Sequence, residues 1–241
     1  MDGMQRTCLF LACVATPLTA SAQRLPRYAA AQLACVTFDV RVTTTVTTEL
    51  QGRRQVEEVR RAGRLVVRGM AVDSGVAIEA WWDSLTLSRR AAGELLTPDA
   101  GGVIGGRYRG LLRPDGRFVR TDAPWIPDDV AEVSDLSVAL DDLFPADSGV
   151  TILRLADSAG VARYRIRSGQ VVNAPAAGDR PFDAVESQTS DGVAAWGAAG
   201  LLSWDRTVHA ETRVRETAQR TFRSVADQRI ELRRVGVCGG E

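Results

Sequence analysis

The chain has 241 residues, 45% hydrophobic and 25% charged, and its 30 basic groups are balanced by 30 acidic ones. Every basic residue is Arg, none is Lys, and His209 is the single histidine. A phosphate-cradling lysine, a Schiff-base lysine and a histidine-cluster metal site are thereby excluded, and the neutral balance argues against nucleic acid as a partner.

Residues 1–22 join a short polar start containing Arg6 to an apolar run from Cys8 to Leu18 and the small-residue pattern Ala20-Ser21-Ala22. That is the layout of a secretory signal peptide. The apolar run falls short of the roughly 20 residues needed to cross a bilayer, and no later segment is longer. The expectation is a secreted or periplasmic protein with no integral membrane span. Residues 23–34 read as an N-terminal linker to a single β-rich domain over residues 35–238. Two cysteines, Cys35 and Cys238, bound that domain. In an oxidising compartment they are expected to form a disulfide, which by loop-closure entropy stabilises the fold by about 3–5 kcal/mol. Such a bridge requires Cα atoms within about 7 Å, so the first and last strands must end side by side.

From Val36 to Leu50 the even positions are Val36, Phe38, Val40, Val42, Thr44, Val46, Thr48 and Leu50, and the odd ones are polar or charged. Alternation over this length predicts a long half-buried strand. Gly52-Arg53, Ala62-Gly63 and Asp73-Ser74-Gly75 are read as breaks in a meander that continues to Arg89. The Gly-rich stretch from Gly101 to Gly106 is read as a flexible hinge, because it lacks the lysine and the following helix of a phosphate loop. Pro114-Asp115-Gly116 marks a hairpin. A change of period follows Pro127. Val130, Val133, Leu136, Leu140, Leu143 and Phe144 recur at three or four residues, predicting an amphipathic helix over residues 128–144. Strands then resume, with turns placed at Asp157 to Gly160 and Ser190-Asp191-Gly192, and the last strand runs to Val235. Arg163, Arg165, Arg167, Arg213 and Arg215 fall on outward faces, where cross-strand pairs with Asp and Glu are expected.

Five tryptophans and a tyrosine are the candidate ligand-binding residues. Adjacent residues in a strand point to opposite faces, so of Trp81 and Trp82 one must face away from the core, either under a cover or lining a groove. Trp196 and Trp204 share parity along one strand, about 27 Å apart at 3.4 Å per residue, with small residues between them that could accept the helix or leave a channel for an acyl chain. Tyr164 sits on the apolar side of its strand, opposite the arginines. Trp125, between two prolines, is read as a plug or a gate at the helix entrance. His209 has no nucleophile motif beside it, so no catalytic residue, cofactor or metal is assigned and an enzyme is not expected.

The threonine-rich first strand, the hairpin from Tyr108 to Phe118, the helix ending Leu143-Phe144-Pro145 and the second β half resemble an uncharacterised family of secreted bacterial β-rich proteins over roughly residues 35–235. The layout is also similar to the half-barrels of periplasmic lipoprotein carriers. These resemblances imply a mainly β (α+β) fold, a curved antiparallel sheet or incomplete β-barrel with one amphipathic helix packed in its concave face. They carry over no established activity. The leading expectation is a non-enzymatic envelope protein binding lipid or another apolar or amphipathic ligand between sheet and helix. The second is a structural or interaction module docking onto an envelope protein partner.

Overall fold

The computed structural model describes residues 24–133, 143–144, 149–174, 182–217 and 220–238. The eleven strands are β1 (Val36–Leu50), β2 (Arg53–Val72), β3 (Gly75–Ala91), β4 (Glu94–Leu96), β5 (Tyr108–Leu112), β6 (Phe118–Asp122), β7 (Val150–Arg154), β8 (Ala162–Ala174), β9 (Asp183–Gly197), β10 (Gly200–Thr217) and β11 (Arg220–Val237). They form one antiparallel sheet in the order β6-β5-β3-β2-β1-β11-β10-β9-β8-β7, with β4 added beside β3. The sheet is not closed into a barrel.

The expected breaks at Gly52-Arg53 and Asp73-Ser74-Gly75 fall between strands, but two others, Ala62-Gly63 and Ser190-Asp191-Gly192, do not occur, and the strands there run longer. Gly63 and Gly192 lie inside β2 and β9, where each lets a neighbouring strand approach closely. A Cβ at Gly63 would fall 2.2 Å from the Ser84 carbonyl oxygen, and one at Gly192 2.5 Å from that of Asp205. The turn readings at Ala62-Gly63 and Ser190-Asp191-Gly192 are therefore corrected: these glycines serve packing between strands. Real reversals occur where two successive residues take positive φ, as at Gln51-Gly52 and Ala92-Gly93, the geometry of tight hairpins. A further correction concerns residues 193–204. Ala198-Ala199 is a turn between β9 and β10, so Trp196 and Trp204 sit on neighbouring strands, opposite Leu201 and Ala194 respectively.

The disulfide joins Cys35 to Cys238 with a Cα–Cα distance of 5.3 Å, and β1 pairs with β11 from Val36↔Val237 to Leu50↔Phe222. We call the disulfide end proximal and the Gln51-Gly52 end distal. At the proximal end the even-numbered side of β1 is buried: Val36, Phe38, Val40 and Val42 are all within the core. Leu65 and Val67 of β2, Trp82 of β3, Ile230 and Leu232 of β11, Trp204 of β10, Ala194 and Trp196 of β9, and Tyr164 and Ile166 of β8 complete it.

The sheet is curled around this core. Phe118 of β6 stacks on Phe144 at 5.1 Å, Phe144 meets Tyr28 at 5.4 Å, Tyr28 meets Trp196 at 6.5 Å, and Trp196 meets Tyr164 of β8 at 5.7 Å. Four ring contacts thus connect strands that are eight spacings apart along the sheet, roughly 38 Å at 4.8 Å each. Only a concave surface allows that.

Two further expectations change. The segment read as a linker packs on the core: Leu25 and Leu33 are buried, and the Tyr28 hydroxyl donates to the Leu143 carbonyl at 3.0 Å. Burial pushes the Tyr28 hydroxyl pKa up. The predicted helix begins as expected, with α1 (Asp128–Ala131). Val130 and Val133 are buried, as are Leu143 and Phe144. The helix gives way to a turn at Glu132-Val133, short of the expected span, and residues 134–142 lie outside the described residues, as does the signal segment 1–22.

Candidate functional site

Beyond the core the inward face of β1 alternates between polar and apolar rungs: Thr44, which accepts from Gln228 at 3.1 Å, follows Val42, and apolar residues return at Val46. The buried cluster ends at Val42, Leu87, Val208 and Ile230, while the same face continues distally through Val46 and Leu50 of β1, Ala226 and Phe222 of β11, and Ala210 and Val214 of β10. Register places these side by side: Val46↔Ala226↔Ala210 and Leu50↔Phe222↔Val214. All are half-buried except Leu50, which is 52% exposed. Between these pairs Thr48, Ser224 and Thr212 form a hydroxyl rung. The result is an amphipathic stripe across the three central strands, joined to the core on β10 through Val208 and Ala210, crossed on β1 and β11 by the Thr44–Gln228 pair, and left open.

Polar groups border the stripe. Arg61, opposite Val42 and Leu87 in register, is buried with its guanidinium 6.0 Å from the Trp82 ring centroid. Arg89 donates to Glu57 through Nε and a terminal nitrogen at 3.0 and 2.8 Å, a pair held beside Val46 by the β1–β2 register. At the distal tip a depression of about 650 Å³, whose lining includes Val214 and Phe222, is lined mainly from the other face of the sheet, by Glu49, Arg54, Val185, Arg213 and Arg223, which share one cross-strand rung.

The opposite face of the sheet is polar and internally paired. Asp191 accepts from Arg165 at 2.9 and 2.7 Å and from Arg167 at 2.9 Å. These bonds, Arg165 first, hold its carboxyl down to about 2. Arg213 and then Arg223 do the same for Glu211, also to about 2. Asp205 accepts from Arg233 at 2.7 Å and Arg215 donates to Asp183 at 3.3 Å. His209 shares a 2.7 Å hydrogen bond with Asp227, beside a shallow depression of about 790 Å³ with threonine walls. The arginines expected to pair across strands include three that do so: Arg165, Arg167 and Arg215.

The tryptophans divide three ways. Trp82, Trp196 and Trp204 are core residues whose indole nitrogens have no hydrogen-bond partner among the described residues. Trp81 faces the other side, half-buried under Arg107 at 3.6 Å and Arg68 at 5.6 Å from its ring centroid; arginine covers it by cation–π contact. Trp125 is 76% exposed, which overturns its reading as a plug. Tyr164 is buried against Trp196. The candidates from sequence are thus mostly the proximal core, and the residues of the open stripe read in sequence as ordinary strand. Its signal was present in Val46, Leu50, Phe222 and Val214, but only register shows that they adjoin.

The Gly101 to Gly106 segment is not a hinge but a docked turn. Asp99 caps Gly101 at 2.9 Å, Val103 is fully buried, and the Gly105 amide donates to the Trp82 carbonyl at 2.9 Å.

No family model matches the chain, and no curated protein matches it in sequence. Among solved structures it is similar to one described as lipid–protein interactions in lipovitellin, with a TM-score of 0.53 at 8% identity, covering 86% of this chain and 25% of that one. The chain therefore spans about a quarter of that neighbour's length, and the likeness is one of fold. A second match, the COG4313 outer membrane channel from Pseudomonas putida F1, has a TM-score of 0.28 at 8% identity, covering 90% of this chain and 98% of that one. No described helix is long and apolar enough to cross a membrane.

Proposed function

We propose that the chain is a non-enzymatic, exported envelope protein that holds an apolar or amphipathic ligand on the distal half of its concave face. One observation carries this reading: the stripe through Val46, Leu50, Phe222 and Val214 continues the core face but leaves its apolar side chains accessible. Accessible apolar surface costs roughly 25 cal/mol per Å² to keep wet, and apolar rungs gathered on one face of a sheet support a binding surface. The hydroxyl rung and the bordering Glu57–Arg89 pair suit a ligand with some polar character. The likeness in fold to the lipovitellin structure, described as lipid–protein interactions, supports lipid as the ligand class. The disulfide supports an oxidising location.

Native mass spectrometry of the purified protein, with organic extraction, tests the proposal. Retained amphiphile that is lost in Phe222→Asp is the expected result. A bare mass, together with no uptake from excess acyl-chain amphiphile, would overturn it. A second reading, docking of a partner protein, is favoured by the edge of β8, where no described strand pairs beyond Ser168 on the β7 side and Val171 and Val172 are exposed. An unpaired edge of this type accepts an added strand; co-purification of a protein in place of a lipid would favour it.

A further inference from the structure

We infer that the proximal mouth of the curled sheet holds a second site, a cavity for one small aromatic molecule that accepts a hydrogen bond from the Trp196 indole. The site is separate from the distal stripe and rests on other observations. A cavity of about 180 Å³ lies where residues 25–28 pass between the β5–β6 turn and the end of β9. Arg27 packs against Gly116 of that turn, where a Cβ would clash with its guanidinium, and Tyr28 meets the Trp196 ring at 6.5 Å. Leu25, Val76, Leu112 and Trp196, all buried, form apolar walls beside Tyr28. Arg27 and Arg113 also line the cavity and are exposed, which puts them on its solvent side.

Space and an unused donor coincide at Trp196. The residue is 5% exposed, and its indole nitrogen has no hydrogen-bond partner among the described residues. The Trp82 and Trp204 nitrogens share that condition, but their rings line neither this cavity nor the two larger depressions. Tyr28, the other aromatic wall, donates its hydroxyl proton to the Leu143 carbonyl. An empty cavity forfeits packing contacts and a buried, unmet N–H forfeits a hydrogen bond; one ligand restores both. The volume sets the ligand's size, since a cavity of roughly 150 Å³ accommodates benzene. The walls set its character. A ring packs offset or edge-to-face against Tyr28 and Trp196, and a carbonyl oxygen on that ring receives the indole N–H, which is a donor only. Water needs several polar partners, and the side chains of Leu25, Val76 and Leu112 supply none.

The test titrates the purified protein with acetophenone and with α-methylstyrene, which has a methylene group in place of the carbonyl oxygen. Binding is read from the indole N–H resonances by heteronuclear NMR with full assignment. Saturable movement of the Trp196 resonance with acetophenone is expected, with α-methylstyrene binding about ten-fold weaker, the scale of one hydrogen bond. Val76→Phe, which fills the cavity from its wall, should weaken acetophenone binding by ten-fold or more, with thermal unfolding as the check on its fold; the wild-type comparison needs no variant. Equal affinity for the two probes, an unmoved Trp196 resonance, or movement confined to the distal methyls of Val46, Leu50 and Val214 would overturn the inference. A water contact at the Trp196 N–H that persists at saturating acetophenone would overturn it too, by showing a hydrated cavity.

Discussion

The proximal and distal halves of this sheet share the same strands and the same alternation, yet they have opposite fates. Proximally, Val36, Phe38, Val40 and Val42 disappear beneath residues 24–33, α1 and the Leu143-Phe144 pair. Distally, Val46 and Leu50 repeat the pattern on the same strand and stay accessible. Alternation therefore fixes which face is apolar but not whether it is covered. Cover comes from elements far away in sequence, and where they end the core ends.

That contrast can be broken most forcefully in the proximal half. Trp82→Ala removes a fully buried ring and should cost about 3–5 kcal/mol, as deletion of a large core side chain does; denaturant unfolding measures it. Opening the Cys35–Cys238 bridge with paired serines should cost about 2–5 kcal/mol, read as a lowered Tm that reductant reproduces in wild type. In the distal half, Val46→Ala should change stability by less than about 1 kcal/mol, because its methyls are already partly in water, while weakening ligand uptake. A loss as large as that of Trp82→Ala would show that the stripe is core after all.

The smallest effect lies on the back face. Asp191 and Glu211 are held at about 2, below ordinary values of 3.8 and 4.5. Both carboxylates contribute stability that is full above the ordinary values and is lost as pH falls towards 2. Asp191→Asn and Glu211→Gln should flatten the decline of Tm between about pH 4.5 and pH 2 without altering stability's dependence on pH near neutrality. Because both pairs are at the surface, the change is expected to be modest.

Much of this architecture could be read from residues alone. The 15-residue alternation of β1 and the pairing of Cys35 with Cys238 followed from period and cysteine count, and the open curved sheet from the resemblance in layout. Strand continuity was harder to see. Gly63 and Gly192 look like turn residues, but their missing Cβ atoms admit adjacent backbones. Bulges were also invisible: an extra residue at Asp83 lets Trp82 and then Leu85 and Leu87 face the core, and another at Leu202 puts Leu201 and Trp204 on the same side. Parity counted along the sequence fails across such points. The candidate site suffered most from this, since tryptophans draw attention by size and these lie mainly in the filled interior. The stripe is built from modest residues on three strands, and its continuity exists only once β1, β10 and β11 are in register.

Methyl-resolved NMR of the protein titrated with a monomeric acyl-chain amphiphile tests the central claim directly. The account predicts shifts at the methyls of Val46, Leu50 and Val214, with those of Val36, Val67 and Ile78 unmoved. Shifts confined to the proximal methyls, or none at saturating amphiphile, would contradict it.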